Sequence, residues 1–319
     1  MDEASSRFVD QIAIEKLVRE KLAKVHHFPT VRSDEVTADL FDDFRFLKKN
    51  PSISVNAHSG SMKFPSPVSD DYPENRYASV ISYKAKNPRA TILLVHGLFE
   101  DSRDIYAFMI KGLNRAGYSV AFLTLPYHYD RKPKQSLFSG EYFWSADIIR
   151  TQNAFKQAVY ELYQMHNWLI TAAHHPVFIV SFSMGAAVAL TLATLFDGIR
   201  GIFAINPASA LSDIIWDSPL CSTIKDDFFS AGYTLEDLKK TYARFEPISA
   251  GNIITSPDAI CMAFAAYDLV TDQVQYQRLI DKWKLKNVLS YKAGHLNTLR
   301  VPRLADDITV FFDSRMMAQ

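Results

Sequence analysis

Cysteine is nearly absent from this chain: Cys221 and Cys261 are the only two in 319 residues. That excludes a disulfide framework as the source of stability, and a reduced, cytoplasmic setting is expected. An excess of charge is missing too, since 35 Lys and Arg are balanced by 35 Asp and Glu. No positive field then gathers a phosphate backbone or an anionic lipid surface, so nucleic acid is excluded as a partner. The first residues, Met1 to Arg7, lack the basic-then-apolar order of a signal peptide, and export is not expected. Long apolar runs come down to one case, Val177 to Phe196, uncharged over about the length of a membrane span. It opens as a strand-like run, is interrupted by Ser181, Ser183 and Gly185, and continues as an Ala/Leu/Thr helix. A buried strand entering a buried helix is the reading we adopt, with no membrane segment. Repeats and low-complexity tracts are absent, as are G-x-G-x-x-G, P-loop, H-E-x-x-H and C-x-x-C patterns. The neighbours His26-His27 and His174-His175 point their side chains apart, so neither a metal nor a cofactor is expected.

What is present is apolar: 48% of the residues are hydrophobic and 13% aromatic, enough for one large core. The character of the chain changes near residue 75. Residues 1–75 are expected to form a helical arm that packs on the rest, being too small to bury a core alone. Phe8, Val9, Ile12, Ala13 and Leu17 recur at helical spacing behind Ser5-Ser6, which predicts a capped helix with those apolar residues inward and Arg19, Glu20, Lys21 and Lys24 in water. Val36, Leu40, Phe41, Phe44 and Leu47 predict a second helix, stopped by Pro51. After the Pro/Ser-rich stretch Phe64 to Pro67, a βα alternation over residues 76–319 predicts an α/β fold, a mostly parallel sheet with helices on both faces.

Strands are expected at Tyr77 to Tyr83, Thr91 to Val95, Ser119 to Leu125, Val177 to Val180, Gly201 to Ile205, Ala259 to Ala265 and Val288 to Tyr291. Helices are expected at Tyr106 to Ala116, Phe143 to Leu169, Ala186 to Phe196 and Ala305 to Phe312. Residues 207–257, with Trp216, Phe228, Phe229, Tyr233, Tyr242 and Phe245, form a long insertion without strands, which predicts a small helical cap.

The sharpest motif is Phe178 to Ala187, a β-rich run that passes through Ser181, Ser183 and Gly185 into a helix. That is the context of a nucleophile elbow, where the serine occupies a strained turn and the positions two before and two after it must be small. Ser183 has Ser181 and Gly185 there. Were Ser181 the nucleophile, branched Ile179 would fill the earlier position, so Ser183 is the candidate.

With this motif the chain resembles the α/β-hydrolase family over about residues 76 to 315, although that family usually has Gly where Ser181 stands. The resemblance implies a Ser, acid, His order along the chain, with the histidine as base and the carboxylate orienting it. Of nine histidines, His26, His27, His58, His96, His128, His166, His174 and His175 precede Ser183 and only His295 follows it. His295 is therefore the implied base. Asp268, just past a strand in Ala265 to Val270, is the implied acid; Asp272 is the fallback, and Asp213 or Asp217 would serve from the preceding strand end. Oxyanion donors are implied at the Met184 amide and in the His96-Gly97 loop, at Leu98 or alternatively Phe99. Phe99 is also placed among the candidate substrate contacts.

Leu125 to Pro133 carries a Pro-Tyr-x-x-x-Arg-x-Pro run similar to that of the α/β-hydrolase-domain 18-like branch. His128 and Arg131 in it are candidates for contacting the polar end of a substrate. The competing reading is a salt-bridged loop of Arg131, Glu141, Asp147 and Arg150. Together these residues imply a serine hydrolase that cleaves a small-molecule carboxylic ester through an acyl-enzyme. A non-catalytic binding protein of the same fold, or a peptidase or thioesterase with the same triad, are the alternatives.

Overall fold

The computed structural model describes residues 2–29, 40–47, 50–56, 60–68 and 70–317. Among them, β-branched and aromatic runs form one nine-stranded sheet: β1 (Ser54–Asn56), β2 (Ser61–Pro65), β3 (Tyr77–Tyr83), β4 (Ala90–Val95), β5 (Tyr118–Thr124), β6 (Val177–Phe182), β7 (Ile202–Ile205), β8 (Ile260–Ala265) and β9 (Asn287–Tyr291). Their order across the sheet is β1-β2-β3-β5-β4-β6-β7-β8-β9. The β1–β2, β2–β3 and β3–β5 pairs are antiparallel, and every pair from β5 through β4 to β9 is parallel. This is the mostly parallel sheet that the alternation predicts.

Helices cover both faces, so the central strands are buried along their whole length, mostly apolar, and show no polar alternation. On β4, Ile92 and Leu94 join the core beneath α2 (Ala107–Arg115) and α9 (Leu304–Met317). Leu93 and Val95 join the opposite core, beneath α3 (Ile148–Ala173) and α4 (Met184–Leu195). Between β7 and β8 lie α5 (Leu211–Asp217), α6 (Ser222–Ser230) and α7 (Leu235–Tyr242). A further helix, α8 (Gln273–Trp283), connects β8 to β9 and buries Tyr276, Leu279 and Trp283. The candidate span resolves into β6 followed by α4, and no helix among the described residues is long and apolar enough to cross a membrane.

The N-terminal arm departs from expectation in three respects. Residues 54–65 were expected to belong to a helical arm, yet β1 and β2 are part of the sheet, with Met62 and Phe64 buried and Lys63 exposed between them. The arm is thus partly sheet. Its first helix, α1 (Glu3–Glu20), is capped by Asp2, whose side chain accepts from the Ser5 amide, and it buries Ser6, Asp10 and Ile14. Phe8 and Ile12, expected inward, are 62% and 48% exposed. Leu40 to Leu47 form turns and a short 3₁₀ segment, while Val36 lies outside the described residues. Beyond α1 the chain is tied down by Lys21 on Asp101, by His26 Nδ1 at 2.6 Å from Asp227, and by His27 Nε2 at 3.1 Å from Glu141.

Arg131 serves the fold. Its guanidinium is 1% exposed; Nη1 donates to Glu161 on α3 (2.6 Å) and the Thr124 carbonyl (2.8 Å), and Nη2 to Glu161 (2.8 Å) and the Asn75 carbonyl (3.2 Å). Both nitrogens are engaged by protein groups within the core, in place of the expected position at the polar end of a substrate. The expected loop pairing is met in part: Arg150 pairs with Asp147 at 3.6 Å, but Glu141 pairs with His27 and the partner of Arg131 comes from α3. Breaking a buried pair leaves an uncompensated charge, so Glu161→Ala should lower stability by about 3–5 kcal/mol in urea unfolding. Replacing both partners, with Arg131→Met and Glu161→Leu, should recover most of that loss.

Candidate active site

Because β4, β6, β7, β8 and β9 run in parallel, the loops at their carboxyl ends emerge along one edge of the sheet. Those loops carry His96, Ser183, Asn206, Asp268 and His295. Ser183 sits between β6 and α4 with φ 52° and ψ −116°, a conformation an L-residue adopts only when its surroundings force it. Here the backbone is held from both sides: the Ser183 amide donates to Ile205 O (2.9 Å), and its carbonyl accepts from Ala186 (3.0 Å), Ala187 (3.1 Å) and Ala208 (3.2 Å). Gly185 permits the turn, since a Cβ there would lie 2.3 Å from His96 O and 2.5 Å from Val95 O.

Ser183 Oγ lies 2.9 Å from His295 Nε2, and His295 Nδ1 lies 2.7 Å from Asp268 Oδ2. A carboxylate only accepts, which assigns the proton to Nδ1 and leaves Nε2 to accept from the serine hydroxyl. Asp268 also accepts from the Val270 (2.7 Å) and Thr271 (2.9 Å) amides and from the Tyr276 hydroxyl (2.7 Å). The histidine loop is held at its backbone as well: Asn206 Nδ2 donates to His295 O (2.9 Å), and the His295 (2.5 Å) and Leu296 (3.1 Å) amides donate to Asp10. The alternative acids lie elsewhere. Asp272 caps α8, and Asp213 pairs with Arg278 and Lys239. Ser181 is fully buried in β6, and its hydroxyl has no partner among the described residues.

The loop after β4 is braced by His96, which is fully buried: Nδ1 lies 2.6 Å from Gly97 O, and Nε2 accepts from the Leu125 amide at 3.0 Å. Burial, with His128 and two arginines nearby, holds its pKa well below the ordinary value, so the ring is neutral. The Gly97 amide is taken by Glu100 (3.0 Å) and the Tyr106 hydroxyl (2.9 Å). The amides of Leu98, Phe99 and Met184 have no acceptor among the described residues. Phe99 has φ 59° and packs its ring edge-on to Phe138, 5.7 Å between centroids. His128 is fully buried, with Nδ1 2.8 Å from Pro126 O and its ring against His96 and Phe143. Burial pushes its pKa down to about 3, so it is neutral and faces the protein interior.

Three carboxylates bear on His295. Burial disfavours the imidazolium, but Asp268, Asp10 and Glu100 outweigh it and raise the pKa above the ordinary 6.5. Burial likewise pushes Glu100 up to about 7, against the Tyr106 and Tyr129 hydroxyls and the Gly97 amide. Asp10 is raised by burial, against the pull of the two loop amides. Among the described residues no group of three His, Cys, Asp or Glu is arranged to hold a metal.

Sequence reasoning did not find Asn206, Tyr276, Glu100 or Asp10. Asn206 ends β7 and Tyr276 lies one helical turn into α8, positions that mark them in retrospect. For Asp10, some 285 residues from its partner, the local sequence offers no signal. The glycine of the elbow yields a direct test. Gly185→Ala should destabilise by about 3 kcal/mol, measured in urea, because the added carbon meets rigid backbone.

Neither protein-family profiles nor curated protein sequences match this chain. Solved structures do. TT1662 from Thermus thermophilus is 18% identical, with a TM-score of 0.54 over 76% of this chain and 94% of that one. Est1E from Butyrivibrio proteoclasticus, solved with ferulic acid bound, is 11% identical, with a TM-score of 0.51 over 75% and 96%. A soluble variant of monoglyceride lipase from Saccharomyces cerevisiae, with a substrate analogue, is 14% identical, with a TM-score of 0.50 over 79% and 97%. The strand order, the turn at Ser183 and these neighbours together identify the chain as having the α/β-hydrolase fold.

Proposed function

We propose that the protein is a serine hydrolase that cleaves a carboxylic ester. The observation that carries this reading is the continuous chain from Ser183 Oγ through His295 to Asp268, at 2.9 and 2.7 Å. In the proposed mechanism His295 Nε2 takes the Ser183 proton as Oγ attacks the acyl carbonyl, and Asp268 stabilises the imidazolium that forms. The resulting oxyanion is held by the Met184 amide, at the positive N-terminal end of α4, and by the Leu98 amide, with Phe99 as the alternative second donor. Imidazolium then returns the proton to the departing alkoxide, leaving an acyl-Ser183. Water, deprotonated by His295, attacks this ester, and the acid leaves as Ser183 regains its proton.

An ester is favoured because one structural neighbour is a monoglyceride lipase, whose name denotes an ester substrate. A reducing setting is supported by Cys221 and Cys261, both buried and unpaired.

Exposure to a fluorophosphonate should give one adduct on Ser183 by intact mass and peptide mapping, absent in Ser183→Ala. Ser183→Ala and His295→Ala should each lower ester turnover by about 10⁴-fold or more while the protein stays folded, and Ser181→Ala should keep most activity. No adduct on folded wild-type protein would favour the binding-protein alternative, and an adduct on Ser181 would overturn the elbow assignment. Faster turnover of matched amide or thioester substrates would change the substrate class.

The base works only as neutral imidazole, whose pKa is raised, so turnover should rise with pH along an acid limb centred above 6.5. Glu100 titrates in the same window, and the limb belongs to the coupled pair. A stopped-flow pH–rate profile reads it.

A further inference from the structure

The least expected member of this arrangement is Asp10. It lies on the arm, in the middle of α1, and is fully buried. Burying a carboxylate costs several kcal/mol unless charge or hydrogen bonds compensate it. No cation pairs with Asp10 among the described residues. Its hydrogen-bond partners are the two consecutive amides of the loop after β9: Oδ2 accepts from His295 at 2.5 Å and Oδ1 from Leu296 at 3.1 Å.

Adjacent amides turned the same way form a concave anion site, and a carboxylate with both oxygens engaged matches it. The approach is close enough to restrict the loop sequence. A Cβ on Gly294 would fall 2.5 to 2.8 Å from the carboxyl atoms of Asp10, so Gly294 is what lets the two meet. On the same face one turn earlier Ser6 is fully buried too, and one turn later Ile14 is buried, so α1 seats a mixed face while Phe8 and Ile12 look outward.

We infer that Asp10 is a positioning residue for His295, reaching from the N-terminal arm to fix the loop that carries the imidazole and so making the arm part of the active site. This rests on the reading of His295 as the base. Asp268 aligns the ring through Nδ1, Asn206 holds the carbonyl of the same residue, and Asp10 holds its amide and the next one. With those three contacts made, the imidazole has one direction in which to present Nε2. Without Asp10 the loop loses the contact on the side facing α1, and two interior amides lose their acceptor.

Two readouts test this. Hydrogen exchange at the His295 and Leu296 amides, followed by NMR, needs no turnover: both should be protected in the wild type, both should lose protection in Asp10→Ala, and one should stay partly protected in Asp10→Asn, which keeps one acceptor oxygen. The second readout is the fluorophosphonate labelling rate of Ser183 against pH. Asp10→Ala should label about ten- to a hundredfold more slowly above the acid limb, as expected for losing hydrogen bonds to a charged group. Both variants should also move the acid limb to lower pH, because a carboxylate that favours the imidazolium is gone. Asp268 and Glu100, which also face His295, remain. A purely structural role would not shift that limb. Glu15→Gln, which removes a charge from the exposed side of the same helix, should change neither rate nor limb.

Unchanged amide protection in folded Asp10→Ala overturns the inference, as does wild-type labelling with an unmoved acid limb in both variants. Wild-type protein that keeps its amides protected but never labels would instead defeat the serine-hydrolase reading, and with it the catalytic meaning of the anchor.

Discussion

The geometry around Ser183 depends on one close approach of backbone to backbone. Where α4 begins, Gly185 passes over the end of β4 so tightly that a methyl group would meet the carbonyls of Val95 and His96. That crossing turns the chain sharply at Ser183, lifts the side chain out of the sheet edge, and brings the Met184 amide beside the loop after β4. The left-handed conformation at Ser183 is unfavourable in isolation, and it persists because four backbone hydrogen bonds from β7, α4 and the loop beyond β7 hold it.

Around this turn the protein gathers negative charge in its interior. Asp268, Glu100 and Asp10 have no Lys or Arg partner among the described residues; besides His295 on Asp268, amides and tyrosine hydroxyls hold them, Tyr276 on Asp268 and Tyr106 and Tyr129 on Glu100. Such an environment favours a positive imidazole ring and works against burial, which favours a neutral one. Under the proposed mechanism that balance suits a base that becomes cationic in the transition state. Elsewhere buried charge is handled differently: Arg131 and Glu161 neutralise each other in a fork, which fixes the loop after β5 against α3.

The arm shows why local pattern and final packing can disagree. Helical spacing marks Phe8, Val9 and Ile12 as an inward face, yet the helix seats Ser6, Asp10 and Ile14. Hydrophobic periodicity measures what a helix gains by burying carbon; it is blind to two unsatisfied amides on a distant loop. The same holds for β2, where only Met62 and Phe64 alternate inward and the pattern is too short to stand out from a proline-rich linker. It holds again for Arg131, whose partner was sought within its own loop and comes from a helix 30 residues on.

By itself the sequence determined the alternation of strands and helices, the mostly parallel sheet, and the placing of Ser183, Asp268 and His295 at strand ends. These are encoded locally, in apolar runs of strand length, in the small residues flanking Ser183, and in the order of the three residues along the chain. The tertiary structure alone decided that Asp10, Asn206, Glu100 and Tyr276 converge on the same edge, and that Arg131 and His128 turn inward. Those outcomes depend on which buried donors and acceptors remain unpaired once the sheet has formed. That accounting closes only in three dimensions, because some partners, such as Asp10 and His295 or Asn206 and His295, lie tens to hundreds of residues apart.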